Sequence, residues 1–177
     1  MKVYFLYGSR PAYGFRGQEH RVFGGIHGGH VTIGFDNLNV GFVPHHGFHV
    51  FAHRRNYKSI FFPEDIHKFL SDTIGAKYAT FEIPLTDSQY LKLKKIEYNY
   101  LFVKTPYDYA FIGMRCASST YDILSQIGIF EPKSRVVNIF SNFYPKKLRK
   151  KMFLLAKKNN YKVTVHNGRP SRKWERG

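Results

Sequence analysis

The chain has 177 residues, 43% of them apolar, with thirteen tyrosines and seventeen phenylalanines. That is enough for one hydrophobic core, too short for two large domains, and too aromatic for a disordered chain. A single cysteine, Cys116, excludes an internal disulfide and a cysteine-based zinc cluster. The formal net charge of +16 selects anionic partners, and it is uneven: Pro145 to Gly177 carries twelve Lys/Arg and one acid, Glu175.

Lys2 to Tyr7 reads as a strand of β-formers. With one lysine and a five-residue apolar run, this start is shorter than an export-leader core. No stretch approaches the roughly 20 apolar residues of a membrane span. The expectation is a chain in the cytoplasm or exported by another route, and a mature form without its leader would read the same way. Gly8 to Gly29 is glycine-rich and predicts no regular element. His30 to Phe35 alternates and is β-branched, Asp36-Asn-Leu-Asn39 is a turn signal, and Val40 to Val43 returns as a second strand. Pro44 to Asn56 is a loop dense in histidine and aromatics, and Pro63 to Ser71 suits a short helix. Tyr78 to Ile83 is a strand, and Thr86-Asp-Ser-Gln89 matches a capping box opening a helix to about Leu101. Thr105 to Met114 is a loop. Cys116 to Ile127 has helical spacing and stops at Gly128. Lys146 to Asn159 is a basic helix and Tyr161 to Val165 a last strand. The pattern predicts one α+β domain over residues 1–177, with an antiparallel sheet and a basic helical segment at about 145–177.

A thiol at a helix start and a histidine at a strand start are the minimum set for thiol catalysis. The thiolate is the nucleophile, and a free thiol with a pKa of about 8.5 is mostly protonated at neutral pH. The helix N-terminus and Arg115 both favour the anion at Cys116; the opposing reading is an inert buried cysteine. His30 is the candidate base. If Asn37 and Leu38 form the centre of the hairpin turn, His30 faces His45, which would accept a hydrogen bond from the imidazole and fix its tautomer. A bulge moves the partner to Pro44 or His46, and Asn39 and Asp36 are further candidates. The Cys116 N–H is the first oxyanion donor expected and the Tyr109 hydroxyl the second, with Tyr107 as its substitute.

In this order the residues resemble the circularly permuted branch of the papain-like, NlpC-type cysteine amidase and peptidase superfamily. The matching pieces are Gly29-His-Val-Thr-Ile33, Val40-Gly-Phe-Val-Pro44, Phe81-Glu-Ile-Pro-Leu85 with its following helix, and Tyr109-Ala-Phe-Ile-Gly-Met-Arg-Cys-Ala-Ser-Ser119. They span Gly29 to Ile129. The resemblance implies a papain-like fold in permuted order, with the histidine strand before the cysteine helix. It implies Cys116 as nucleophile, His30 as base, a polar residue of the next strand as orienter, and no cofactor. It departs from the pattern at Arg115, where the family often has Asn or Asp. The orienter also comes somewhat sooner after the histidine in the family than His45 does here.

The leading expectation is a hydrolase of amide bonds in a cell-wall peptide, since a basic surface suits an anionic polymer. A lipid acyl hydrolase or acyltransferase is the related alternative. Leu148, Met152 and Leu155 share a face flanked by lysines, as in helices that lie on anionic membranes, although a core-packed helix gives the same pattern. A non-catalytic module for nucleic acid would use the same cations with Tyr144, Phe153, Tyr161 and Trp174. A metal site would draw on His45, His46, His49 and His53, or on His27 and His30, but none forms the helical H-E-x-x-H spacing.

Overall fold

The computed structural model describes residues 1–8, 29–45, 50–53 and 59–168. Six strands, β1 (Lys2–Leu6), β2 (His30–Phe35), β3 (Leu38–Pro44), β4 (Ser59–Asp65), β5 (Tyr78–Glu82) and β6 (Lys162–His166), form one open sheet in the order β4-β3-β2-β1-β5-β6. Every neighbouring pair is antiparallel. Five helices accompany it: α1 (Ile66–Asp72), α2 (Asp87–Tyr98), α3 (Cys116–Gln126), α4 (Arg135–Ser141) and α5 (Pro145–Asn159). The chain is a single α+β domain.

Side chains alternate across the pleat, so each strand serves two layers. Val3, Phe5, Val31, Ile33, Phe42, Phe61 and Phe81 point to the face covered by α2, α3 and α5, and form the main core with Leu93, Leu124, Leu148 and Met152. Tyr4 and Leu6 point the other way, onto Phe69 of α1. β1 is buried on both faces, which explains its unbroken apolar run. Leu148, Met152 and Ala156 are buried and Phe153 packs on Phe81. The Leu148 and Met152 face of the basic helix is therefore spent on the core.

Two expectations are corrected and one helix is added. Residues 59–65 form the edge strand β4, and Pro63 is tolerated there because an edge strand does not need every N–H. The expected helix from Pro63 therefore begins at Ile66, capped by Asp65, which accepts from the N–H groups of His67 (2.9 Å) and Lys68 (3.0 Å). The short helix α4, unforeseen because Val136 and Val137 are β-branched, is capped by Ser134. The β2–β3 turn sits one residue earlier than expected, at Asp36 and Asn37, with Phe35 paired to Leu38. Asp36 takes a φ of 51°, which aspartate tolerates better than leucine, and its carboxylate is held by Lys94 at 2.7 Å.

The capping box that opens α2 is present in both directions: Gln89 N–H donates to Thr86 Oγ1 (3.3 Å) and Thr86 N–H donates to Gln89 Oε1 (3.0 Å). α2 then passes into a π-helical turn, Asn99–Val103. Thr86→Ala is expected to cost about 1 kcal/mol, read from urea unfolding with an unchanged m-value.

Candidate functional site

Cys116 is the first residue of α3, and Arg115 before it is extended. The Arg115 N–H is taken by Ser118 Oγ at 2.8 Å, and the helix's own ladder starts at Ser119 N–H to the Arg115 carbonyl, 2.8 Å. The N–H groups at the start of the helix are thus left to serve the thiol region. The thiol is buried, against the start of β2. The Val31 and Ala117 N–H groups and the Tyr109 hydroxyl lie where they favour its anion.

Burial pushes the thiol up from its ordinary value, against the pull of these donors and of the Arg115 charge. This reverses the expectation of a thiol lowered by the helix terminus: complete desolvation outweighs the fixed dipoles and the one cation. Tyr109 is pushed up as well, by burial and then by the neighbouring thiol, with Arg115 pulling it down. Arg115 is itself buried, held among Phe111, Phe143 and Tyr144 with its guanidinium 5.3, 4.3 and 5.9 Å from their ring centres. It donates to the Phe143 carbonyl at 3.4 Å. Aromatic faces replace a carboxylate as its surroundings, which leaves its charge to act on the thiol and the phenol.

The loop before α3 is fixed by a group the sequence did not single out. Asp108 is buried and accepts from Ser59 Oγ (3.0 Å) and from the His53 N–H (2.8 Å). Ser59 Oγ in turn accepts from the Tyr109 N–H at 3.1 Å. Tyr109 is thereby tied to the edge strand β4, and its ring packs on Phe42. Tyr107, the alternative oxyanion donor, packs on Phe42, Phe61 and Tyr100. The only sequence signal for the Ser59–Asp108 pair was an acid in a run of aromatics.

His30 begins β2 as expected, but the pleat turns its side chain away from Val31. Its Nε2 lies over Gly41, where an added Cβ would come within 2.7 Å; Thr32, on the same face, lies 2.9 Å from that point. The imidazole and the thiol therefore lie on opposite faces of β2. The observed register, Thr32 to Gly41, continues to put Val43 rather than His45 opposite His30. His45 is an exposed bend residue just beyond β3. Asn39 pairs with Gly34, four residues along β2 from His30 and roughly 13 Å away, and Asp36 is further still. Neither reaches the imidazole; His46 lies outside the described residues, as do His27 and His49. Among the described residues no group of three His, Cys, Asp or Glu is placed to hold a metal ion. No described helix is long and apolar enough to cross a membrane. A cavity of about 890 Å³ opens at the far end of the sheet, beside Lys2, Gly34, Asp36 and Glu82, and takes in none of the thiol's neighbours.

Comparison of the chain with protein-family models, with curated proteins and with solved structures gave no match.

Two outcomes follow from the site. A thiol raised in the fold binds its proton more tightly than in the unfolded chain. It stabilises the fold fully below the unfolded pKa, and that contribution is lost as pH rises above about 8.5. Denaturant titrations between neutral pH and this range are expected to show a falling stability that Cys116→Ala flattens. Asp108→Ala removes the buried acceptor of the Ser59 hydroxyl and the His53 N–H and is expected to cost about 2 kcal/mol, measured by urea unfolding.

Proposed function

We propose that this chain is a thiol hydrolase with a permuted papain-like fold, cleaving an amide bond through a covalent thioester on Cys116. The observation that carries the reading is the buried thiol of the lone cysteine at the first residue of α3, beside three groups that favour its anion, the Val31 and Ala117 amides and the Tyr109 hydroxyl. Donors grouped there also serve the oxygen that becomes negative when sulfur attacks a carbonyl carbon a bond length away. Because burial keeps the resting thiol protonated, the attack needs a base. His30, adjacent in sequence to Val31, takes that part once a backbone rotation at Gly29 and His30 carries its side chain from the opposite face of β2 round to the sulfur.

The imidazole accepts the thiol proton, the sulfur bonds to the carbonyl carbon, and the C–N bond breaks as the same proton passes to the leaving amine. Water then attacks the thioester, His30 removes its proton, and the acid leaves as the proton returns to sulfur. A peptide on an anionic wall polymer is the leading substrate, on the strength of the +16 charge. A lipid acyl group is the alternative within the same chemistry.

A second reading has its own observation. The imidazole and the thiol lie on opposite faces of β2, as they would in a basic binding module with an inert core cysteine.

Labelling of Cys116 by iodoacetamide across pH separates the two. In the hydrolase the rate rises through the imidazole range, near 6.5, and drops at least about tenfold in His30→Ala. In the binding module labelling rises only above about 8.5 and is indifferent to His30.

A further inference from the structure

We propose that the open cavity at the far end of the sheet binds a small organic anion, a carboxylate carried on an aromatic body. The proposal is independent of the hydrolase reading, since none of the thiol's neighbours lines this cavity. The cavity crosses the strand ends, with Ile66 and Leu70 of α1 on one side and Leu85 and Tyr90, at the entry to α2, on the other. Its volume, about 890 Å³, is that of a small-molecule site. Its walls are aromatic. Tyr4, Phe35, Tyr90 and Tyr161 all line it, and the Phe35 and Tyr90 rings pack on each other at 5.0 Å. Gly34 leaves room for the Tyr4 ring: a Cβ there would stand 2.6 Å from Tyr4 Cε2.

The charged side chains of the cavity are set by the sheet register. Lys2 pairs with Gly34 on one side and Glu82 on the other, and Glu82 pairs with Lys162, so these four positions share one face. Lys162 holds Glu82 at 3.1 Å, and Lys94 holds Asp36 at 2.7 Å. Each lining carboxylate thus has its own close cation. Lys2 has the weaker share: it stands 3.9 Å from Glu82, whose charge Lys162 already meets, and its side chain is half exposed. A cationic ligand would find both carboxylates occupied and Lys2 and Lys162 repelling it. An anion meets the one lysine whose charge is not closely matched. A bare inorganic anion leaves the walls unused, whereas an aromatic body lies on Tyr4, Phe35 and Tyr90.

The test is an NMR titration of the isotope-labelled full chain with phenylacetate. Phenylacetamide carries the same body without the charge, and acetate the charge without the ring. Phenylacetate is expected to bind with a Kd of about 1 mM or tighter and to shift the amide signals of Lys2, Gly34, Glu82 and Lys162. Phenylacetamide and acetate are each expected to bind about fivefold more weakly or worse. Lys2→Met is expected to weaken phenylacetate binding about fivefold or more. Lys2→Arg keeps the charge and is expected to stay within about twofold of the parent. Lys92→Met, the same charge loss at an exposed position of α2 that does not line the cavity, is expected to leave binding unchanged. The proposal is overturned if no shift appears up to about ten times the expected Kd, or if the shifts fall away from the cavity. It is equally overturned if phenylacetamide binds as well as phenylacetate, or if Lys2→Met binds like the parent. Lys2 and Lys92 are both exposed, and equal thermal midpoints establish that the variants fold.

Discussion

The end-on packing of α3 against the start of β2 is the constraint on which the rest of this structure depends. It brings a helix N-terminus to the start of a strand whose Val31 N–H favours the thiolate. The contact is held from both sides. Ala117 and Leu124 of α3 are fully buried against the sheet, and the loop carrying Tyr109 is pinned to β4 through Ser59 and Asp108. Loosening either support would let water reach the thiol, and the desolvation that sets its protonation would go with it.

Arg115 shows how the fold keeps a cation beside this dry pocket without neutralising it. A carboxylate partner would cancel the guanidinium charge. Three aromatic faces and a carbonyl stabilise it and leave the charge intact. Arg115 contributes its backbone N–H to Ser118 and its charge to the thiol and Tyr109, where a shorter Asn or Asp would contribute only a cap.

Much of the sheet was legible because its signals are local. The alternation in His30–Phe35, the unbroken run in β1 and the Thr86–Gln89 box each follow from their own residues. β4 was hidden because Pro63 reads as a helix start until its place at an edge is known, and α4 because two valines obscure a seven-residue helix. The hairpin register failed by one residue. In a two-residue turn that choice rests on whether Asp36 takes a positive φ, and the decisive contacts, Lys94 to Asp36 and Ile66 N–H to the Asn37 carbonyl, come from distant elements. That single step removed His45 from its place opposite His30. In the same way, Asp108 was invisible as a fixing group because its donors lie about fifty residues away.

The thiol's position poses a physical conflict that any chemistry here must resolve. Burial favours the neutral thiol, and the donors around the sulfur favour the anion. The two opposing effects are both products of the same packing, so neither can be strengthened alone. A base arriving from outside the pocket resolves the conflict, because it supplies the opposite charge only while the thiolate exists. His30, the base of the proposed hydrolase, rests on the other face of β2. It is the first residue of its strand, and across the ladder Gly41 leaves free the space its ring now occupies. The backbone that carries it runs on into Val31, whose N–H favours the thiolate. At the start of β2 the imidazole therefore rests on one face while the thiol lies behind the other, and the backbone between them sets what the two groups can do together.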